Sequence, residues 1–218
     1  MRAVWHAFLG VLGFEMTFWD SAFSGPGYKY GTAPNAFLAA EAWRLAPASR
    51  VLVPGDGEGR NGVWLAEQGH RVTTVDNSAV GVAKSRALAE ARGTTLTALE
   101  RDLEQWTPAR ESFDAVVSIY LHLPPALRVR VHRALAAAVA PGGWLLLEGF
   151  HPTQLGRTSG GPKDPTMLFT LEMLRGDFGD ASVGPFREEV AWEGETVLDE
   201  GPGHQGAAKV TRLLLQRS

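Results

Sequence analysis

The chain has 218 residues, a formal net charge of −3, 44% hydrophobic and 21% charged residues. That is enough apolar surface for one globular domain and too little chain for two comfortable ones. The absence of Cys excludes disulfides, thiolate metal sites and a cysteine nucleophile, and a cytoplasmic location is expected. No run of Lys and Arg offers the concentrated basic face that phosphate backbones require, so no nucleic-acid partner is expected.

Residues 1–16 carry one Arg and an apolar run including Trp5, Phe8, Leu9, Val11, Leu12 and Phe14. The run is short for a secretory signal, lacks a small-x-small cleavage site, and falls far below a membrane span, so no membrane partner is expected. It reads as an N-terminal extension, from a misassigned start or as an accessory helix. A single domain over residues 17–218 is expected to follow.

From Thr17 to Thr32 the chain is rich in Gly, aromatic and polar residues and reads as a loop. Pro34 stands where a helix can begin, with Phe37, Leu38, Ala42 and Leu45 at helical spacing and Pro47 as its stop. Val51–Val53 reads as a short strand, halted by Pro54 and the glycines Gly55, Gly57 and Gly59. A helix from Asn61 to Gln68 closes on Gly69. Arg71 to Val75 is the second strand, and Ser78 caps a helix running to Arg92, closed by Gly93. Strands follow at Thr95–Leu99 and Phe113–Ile119. A helix opening at Pro124-Pro125 has Leu127, Val131, Leu135 and Val139 on one stripe. The turn Ala140-Pro141-Gly142-Gly143 leads into a strand at Trp144–Leu147. After Phe150 a Gly- and Pro-rich loop precedes a helix near Leu168–Arg175. Two strands, Phe186–Leu198 and Ala207–Gln216, then flank a turn at residues 200–204. Continuous apolar strands alternating with helices define an α/β class: a Rossmann-like, doubly wound, mostly parallel seven-stranded sheet ending in an antiparallel edge hairpin.

The sharpest feature is the run from Val51 to Asn61, in which a strand, a glycine-rich turn and a helix form a ligand cradle at the carboxyl end of a sheet. Two readings fit it. Gly57-x-Gly59-x-x-Gly62 satisfies the dinucleotide fingerprint, and Asp76 lies 19 residues after Gly57, where a ribose-binding acid is expected. Against a pyrophosphate, the loop carries Asp56 and Glu58, acids that suit a cationic sulfonium ligand better than a dianion. Gly55 also follows the strand at once, favouring Gly55-x-Gly57-x-Gly59 as the operative triplet.

Residues 55–61 followed by Trp64-Leu65-Ala66 and Gly69 resemble motif I of class I S-adenosylmethionine-dependent methyltransferases. More narrowly they resemble the tellurite-resistance and thiopurine methyltransferase-like branch. Trp19-Asp20, Tyr28, Tyr30-Gly31 and Pro34-Asn35 resemble the N-terminal cover of that branch, which makes residues 17–46 a lid segment. Glu200-Gly201, His204 and Gly206 resemble its final turn.

The resemblance implies S-adenosyl-L-methionine as cofactor and a small-molecule acceptor, thiol or chalcogen-like. It implies that Asp76 accepts the ribose hydroxyls, with Asn77 and Ser78 beside it, and that Asp102 and Leu103 meet the adenine edge. Tyr120 then borders the methionine portion, Arg60 and Asn61 hold the carboxylate or brace the loop, and Trp19 and Tyr30 close over the ligand. Tyr28, His122 and His151 are acceptor-pocket candidates. His6, His70 and His132 read as surface or helix residues, and His204 as a turn former. No His/Asp/Glu set has metal-ligand spacing, so no metal is expected. No residue stands out as a general base. A nicotinamide-dependent oxidoreductase and a non-catalytic adenosyl-ligand binding protein remain as rivals.

Overall fold

A computed structural model describes residues 17–218; the extension read from residues 1–16 lies outside the described residues. Seven strands form one sheet: β1 (Arg50–Pro54), β2 (Arg71–Asp76), β3 (Thr97–Glu100), β4 (Phe113–Ile119), β5 (Val139–Phe150), β6 (Phe186–Asp199) and β7 (Gln205–Arg217), in the spatial order β3-β2-β1-β4-β5-β7-β6. The first five pair in parallel, β7 runs antiparallel to β5, and β6 closes the edge antiparallel to β7. This is the expected doubly wound sheet with its terminal hairpin. Because β1 precedes its neighbours on both sides, the strand order reverses there and opens a crevice beyond its carboxyl end.

Pleating sends successive side chains to opposite faces, which is why these strands are apolar throughout. Leu52, Val116, Leu145 and Leu147 meet Val131 and Leu135 of α5 (Pro125–Ala138) and Leu174 and Phe178 of α6 (Leu171–Phe178). Val51, Val53, Val117 and Leu146 face the other way, against Phe37 and Leu38 of α2 (Ala36–Glu41) and Leu65 of α3 (Arg60–Glu67). Each such fully buried aliphatic side chain contributes about 1.5–3 kcal/mol. Helix α4 (Ala79–Ala91) is capped by the Ser78 hydroxyl, which accepts from Gly81 N at 2.9 Å.

Three readings need correction. Residues 18–23 are not loop but helix α1 (Phe18–Phe23), started by a capping box: Thr17 Oγ1 accepts from Asp20 N, and Asp20 Oδ2 accepts from Thr17 N, each at 3.0 Å. Helix α6 begins later than expected because Thr170 caps it. The Ala140–Gly143 turn is an excursion inside β5, since β4 moves from Phe113 to Ala115 while β5 moves from Val139 to Trp144.

His132, read as a surface or helix residue, is fully buried on α5. Its Nδ1 lies 2.8 Å from Asp177 Oδ2, the oxygen that also accepts from Arg128 Nε at 2.8 Å.

Candidate functional site

Beyond β1 the chain turns through Gly55, Gly57 and Gly59, with φ of +66°, +56° and +94°. Left-handed backbone costs an L-residue about 1–2 kcal/mol, so glycine is the residue that fits. The absent side chains also make room. A Cβ on Gly55 would lie 2.8 Å from Leu121 Cδ1, and one on Gly57 2.9 Å from Phe23 Cζ. Gly55 N donates to Val75 O at 2.7 Å, tying the loop to β2. Asp76, at the tip of β2, accepts from Gly57 N at 2.8 Å and from Ser78 N at 2.9 Å, one bond on each carboxylate oxygen. Burial raises its pKa, against those two bonds and with the nearby Asp20 charge adding to the rise. Asn77 is exposed, and Ser78 is buried as the α4 cap.

The two loop acids do not serve as expected. Asp56 turns inward: Oδ2 accepts from Gly62 N at 3.0 Å, Oδ1 is buried without a partner, and burial pushes its pKa up to about 8. Glu58 is also buried, its Oε1 2.8 Å from Lys84 Nζ and its Oε2 accepting from Lys29 N at 2.6 Å. Neither offers a free negative charge to a ligand, so these two acids do not discriminate a sulfonium from a pyrophosphate. The carboxylates left at the crevice are Asp76 and Asp20. Asp20 accepts from Ser78 Oγ at 2.7 Å and Val80 N at 3.2 Å, and the Ser78 bond draws its pKa down to about 2.

Helix α1 lies against the start of α4 through these Asp20 bonds. Trp19 stacks on Phe23 with ring centroids 5.3 Å apart, and Phe23 lies on Gly57. Tyr28 packs beside Lys84, 5.8 Å from ring centroid to ammonium. Tyr30 meets the His204 ring at 4.3 Å, and burial pushes its phenol up to about 12. Trp19, Tyr28 and Tyr30 are thus assembled on the rim of the glycine loop.

On the β4 side, Tyr120 has φ +53°, donates its phenol to Glu148 Oε1 at 2.6 Å and stacks on Phe150 at 4.6 Å. Burial, with Glu148 next, raises its pKa well above the ordinary value. Arg60 and Asn61 point inward: Arg60 Nη2 donates to Glu200 Oε2 at 2.9 Å, and Asn61 Oδ1 accepts from Asn35 N at 2.9 Å. Both tie the start of α3 to neighbouring segments, and Arg60 Nη1 is buried without a partner.

His122 is partly buried, with both ring nitrogens turned to main chain. Its Nδ1 is 2.9 Å from Met167 O, its Nε2 accepts from Phe150 N at 3.1 Å, and burial pushes its pKa down to about 4. His151 caps a short 3-10 turn and sits 3.8 Å from Glu193, away from the loop. Asp102 is exposed beyond β3, accepting from Glu104 N at 2.7 Å, with Leu103 partly buried beside it.

Five residues to which the sequence assigns no site role join these parts, all buried except Arg212, which is partly covered. Asn35 Nδ2 donates to Glu148 Oε1 at 2.8 Å and to Glu200 Oε1 at 2.9 Å. Arg212 pairs with the other oxygen of Glu148, and His204 Nδ1 lies 3.3 Å from Glu200 Oε2. Two carboxylates and two guanidiniums therefore neutralise one another under the Tyr120 and His204 rings. Glu148, set inside the apolar run of β5, was the legible signal, because a buried carboxylate demands partners.

An adenosyl ligand fits the donor set. Gly55 and Gly57 let Leu121 and Phe23 close against the turn, and each Asp76 oxygen accepts one backbone bond, leaving a lone pair for a ribose hydroxyl. Among the described residues no group of His, Asp and Glu could hold a metal ion, and no helix is long and apolar enough to cross a membrane.

Residues 51–143 match a family described as a methyltransferase domain. No curated protein sequence matches the chain. Among solved structures, it is similar to a protein from work on conversion of a disulfide bond into a thioacetal group during echinomycin biosynthesis. That match has a TM-score of 0.70 and 21% identity, over 91% of this chain and 90% of the other. It is similar to TehB from Haemophilus influenzae at a TM-score of 0.69 and 19% identity, over 86% of this chain and 63% of that one. It is similar also to magnesium protoporphyrin IX methyltransferase (ChlM) from Synechocystis PCC 6803 with bound SAH, at a TM-score of 0.61 and 21% identity over 92% and 82%. At these identities the shared property is the fold.

Proposed function

We propose that this chain, an S-adenosylmethionine-dependent methyltransferase by the domain in residues 51–143, methylates a small soft acceptor, a thiol or a chalcogen-like nucleophile. On this reading it falls within the tellurite-resistance and thiopurine branch, and residues 17–218 act as one domain with residues 17–46 as lid. The bound cofactor supplies a methyl group on a sulfonium, displaced in line with a good leaving group. The protein's part is to orient and to exclude water, and orientation alone can be worth about 7–11 kcal/mol.

Asp76 receives the ribose hydroxyls on its remaining lone pairs, and the left-handed turn through Gly55 and Gly57 holds that carboxylate at the crevice. Asp102 and Leu103 frame the adenine edge. Trp19, Phe23 and Tyr30 roof the loop, and Tyr120 closes the side where the methyl leaves.

One observation carries the soft-acceptor reading: His122, the histidine beside the end of β4, has both ring nitrogens engaged by main chain. An acceptor that arrives as an anion needs no base there. The structural neighbour concerned with disulfide-to-thioacetal conversion adds support from sulfur chemistry.

The test is calorimetry with S-adenosylmethionine, its demethylated product (SAH) and NAD, followed by turnover on thiols, selenite and tellurite. Adenosyl binding with methylated product from any of these is expected. Binding with no turnover across the panel would leave a non-catalytic adenosyl-binding protein, and uptake of NAD alone would revive the dinucleotide reading.

A further inference from the structure

Tyr120 is a non-glycine residue in left-handed backbone at the end of a buried strand, a conformation that costs about 1–3 kcal/mol and persists only where the surroundings impose it. Beside the packing of its ring on Phe150 and His204, one residue holds it at two points. Glu148 accepts from Tyr120 N on its main-chain oxygen at 2.7 Å and from the Tyr120 phenol on its carboxylate at 2.6 Å. The next side chain along, Leu121, lies over the space that a Cβ on Gly55 would need.

We infer that Glu148 is a positioning residue: gripping Tyr120 at both ends, it holds the turn that lays Leu121 against Gly55 and so fixes the acceptor-side wall of the cradle. The inference rests on the reading of the glycine loop as the adenosyl site.

The rest of the carboxylate's environment agrees with that role. Glu148 is 1% exposed in the run Leu145-Leu146-Leu147-Glu148, a place where an apolar residue would pack at no electrostatic cost. Replacing a buried ion pair by well-packed apolar residues is often neutral or stabilising, so a glutamate here is poorly explained by stability alone. Its two remaining contacts, Asn35 Nδ2 and Arg212 Nε, come from the α2 cap and from β7. They clamp the carboxylate so that the oxygen facing Tyr120 cannot rotate away. Asn35 N in turn is bonded to Asn61 at the start of α3. The grip on Tyr120 is therefore referenced to the helix that the glycine loop opens.

The test is a double-mutant cycle on SAH affinity, measured by calorimetry well below each variant's melting temperature, with Glu148→Gln, Tyr120→Phe and the double variant. Each single substitution is expected to weaken SAH by about tenfold, the equivalent of one charge-assisted hydrogen bond. The double variant is expected to be no weaker than the worse single, because both break one link.

A purely structural glutamate would lower the melting temperature and leave the affinity of the folded protein unchanged. That result, or additive losses in the double variant, overturns the inference while leaving the cofactor reading intact. Failure of the parent protein to bind SAH overturns the cofactor reading and this inference with it. If Glu148→Gln does not fold, Tyr120→Phe, which keeps the ring and the main-chain bond and removes only the phenol's bond to the carboxylate, decides alone: unchanged SAH affinity rejects the inference.

Discussion

Lys84 and Glu58 stand 2.8 Å apart, and the ammonium that meets this carboxylate also takes the carbonyl oxygens of Gly25 and Gly27 at 2.7 and 2.6 Å. A loop acid expected to face a ligand instead anchors the chain that covers the loop. The anchor joins α4, the glycine turn and residues 25–29, and Phe23 is held on Gly57 between it and the Asp20 bonds.

Lys84→Met should therefore release the cover and strand a buried carboxylate. Removing one partner of a buried ion pair costs about 3–5 kcal/mol, and the part-exposed lysine places the loss at or below the lower end. Urea unfolding should show the lower midpoint, and limited proteolysis should cut within residues 24–31 faster than in the parent. Unaltered cleavage there would mean that the strap is held by other contacts.

Asp76→Ala should weaken SAH by about a hundredfold, the loss of two hydrogen bonds to a carboxylate, with the fold retained. The structure adds a second arm, because the same carboxylate receives Gly57 N and Ser78 N. Asp76→Asn keeps one acceptor oxygen and should fall between parent and alanine. Calorimetric affinities of the three proteins check the order, and an alanine variant that binds as the parent does would remove Asp76 from the site.

The parts of this architecture that were legible in sequence are those governed by local pattern. Strand β4 begins and ends where its apolar run does, and Ser78, Gly69 and Gly93 punctuate helices as their chemistry dictates. Helix α1 was hidden because its aromatic and glycine-rich surroundings masked the Thr17-x-x-Asp20 box. The burial of His132 on its helix was not legible, because that arginine-rich helix looks solvated, whereas Asp177, 45 residues away, draws it inside. The Asn35–Glu148–Glu200 hub spans 113 and 165 residues between partners, and no local period encodes such pairs.

His122 should set an acid limb on stability. Its pKa falls from 6.5 to about 4 in the fold, so between those values the unfolded chain binds a proton that the native state does not. Its stabilising effect is complete above 6.5 and is lost as the pH falls toward 4, at a rate approaching 1.4 kcal/mol per pH unit inside that window. His122→Gln can still accept from Phe150 N and donate to Met167 O without titrating. Urea midpoints at pH 7.5 and 5 should converge for the variant and diverge for the parent; equal slopes would show that His122 is not the group responsible.

Asp56 should act with the opposite sign. Its pKa rises from 3.8 to about 8 on folding, so across that interval the native state holds a proton that the unfolded chain has released. The stabilising effect is present below the lower value and is lost as the pH climbs through the upper one, again approaching 1.4 kcal/mol per unit. Asp56→Asn keeps an oxygen for Gly62 N and abolishes the titration. The parent should lose stability relative to this variant between about pH 7.5 and 8.5, a range in which His122 is almost wholly neutral in both states, so the two limbs can be told apart. A parent curve parallel to that of Asp56→Asn across this range would mean that the carboxylate is already ionised under the loop, with Arg60 supplying the missing compensation.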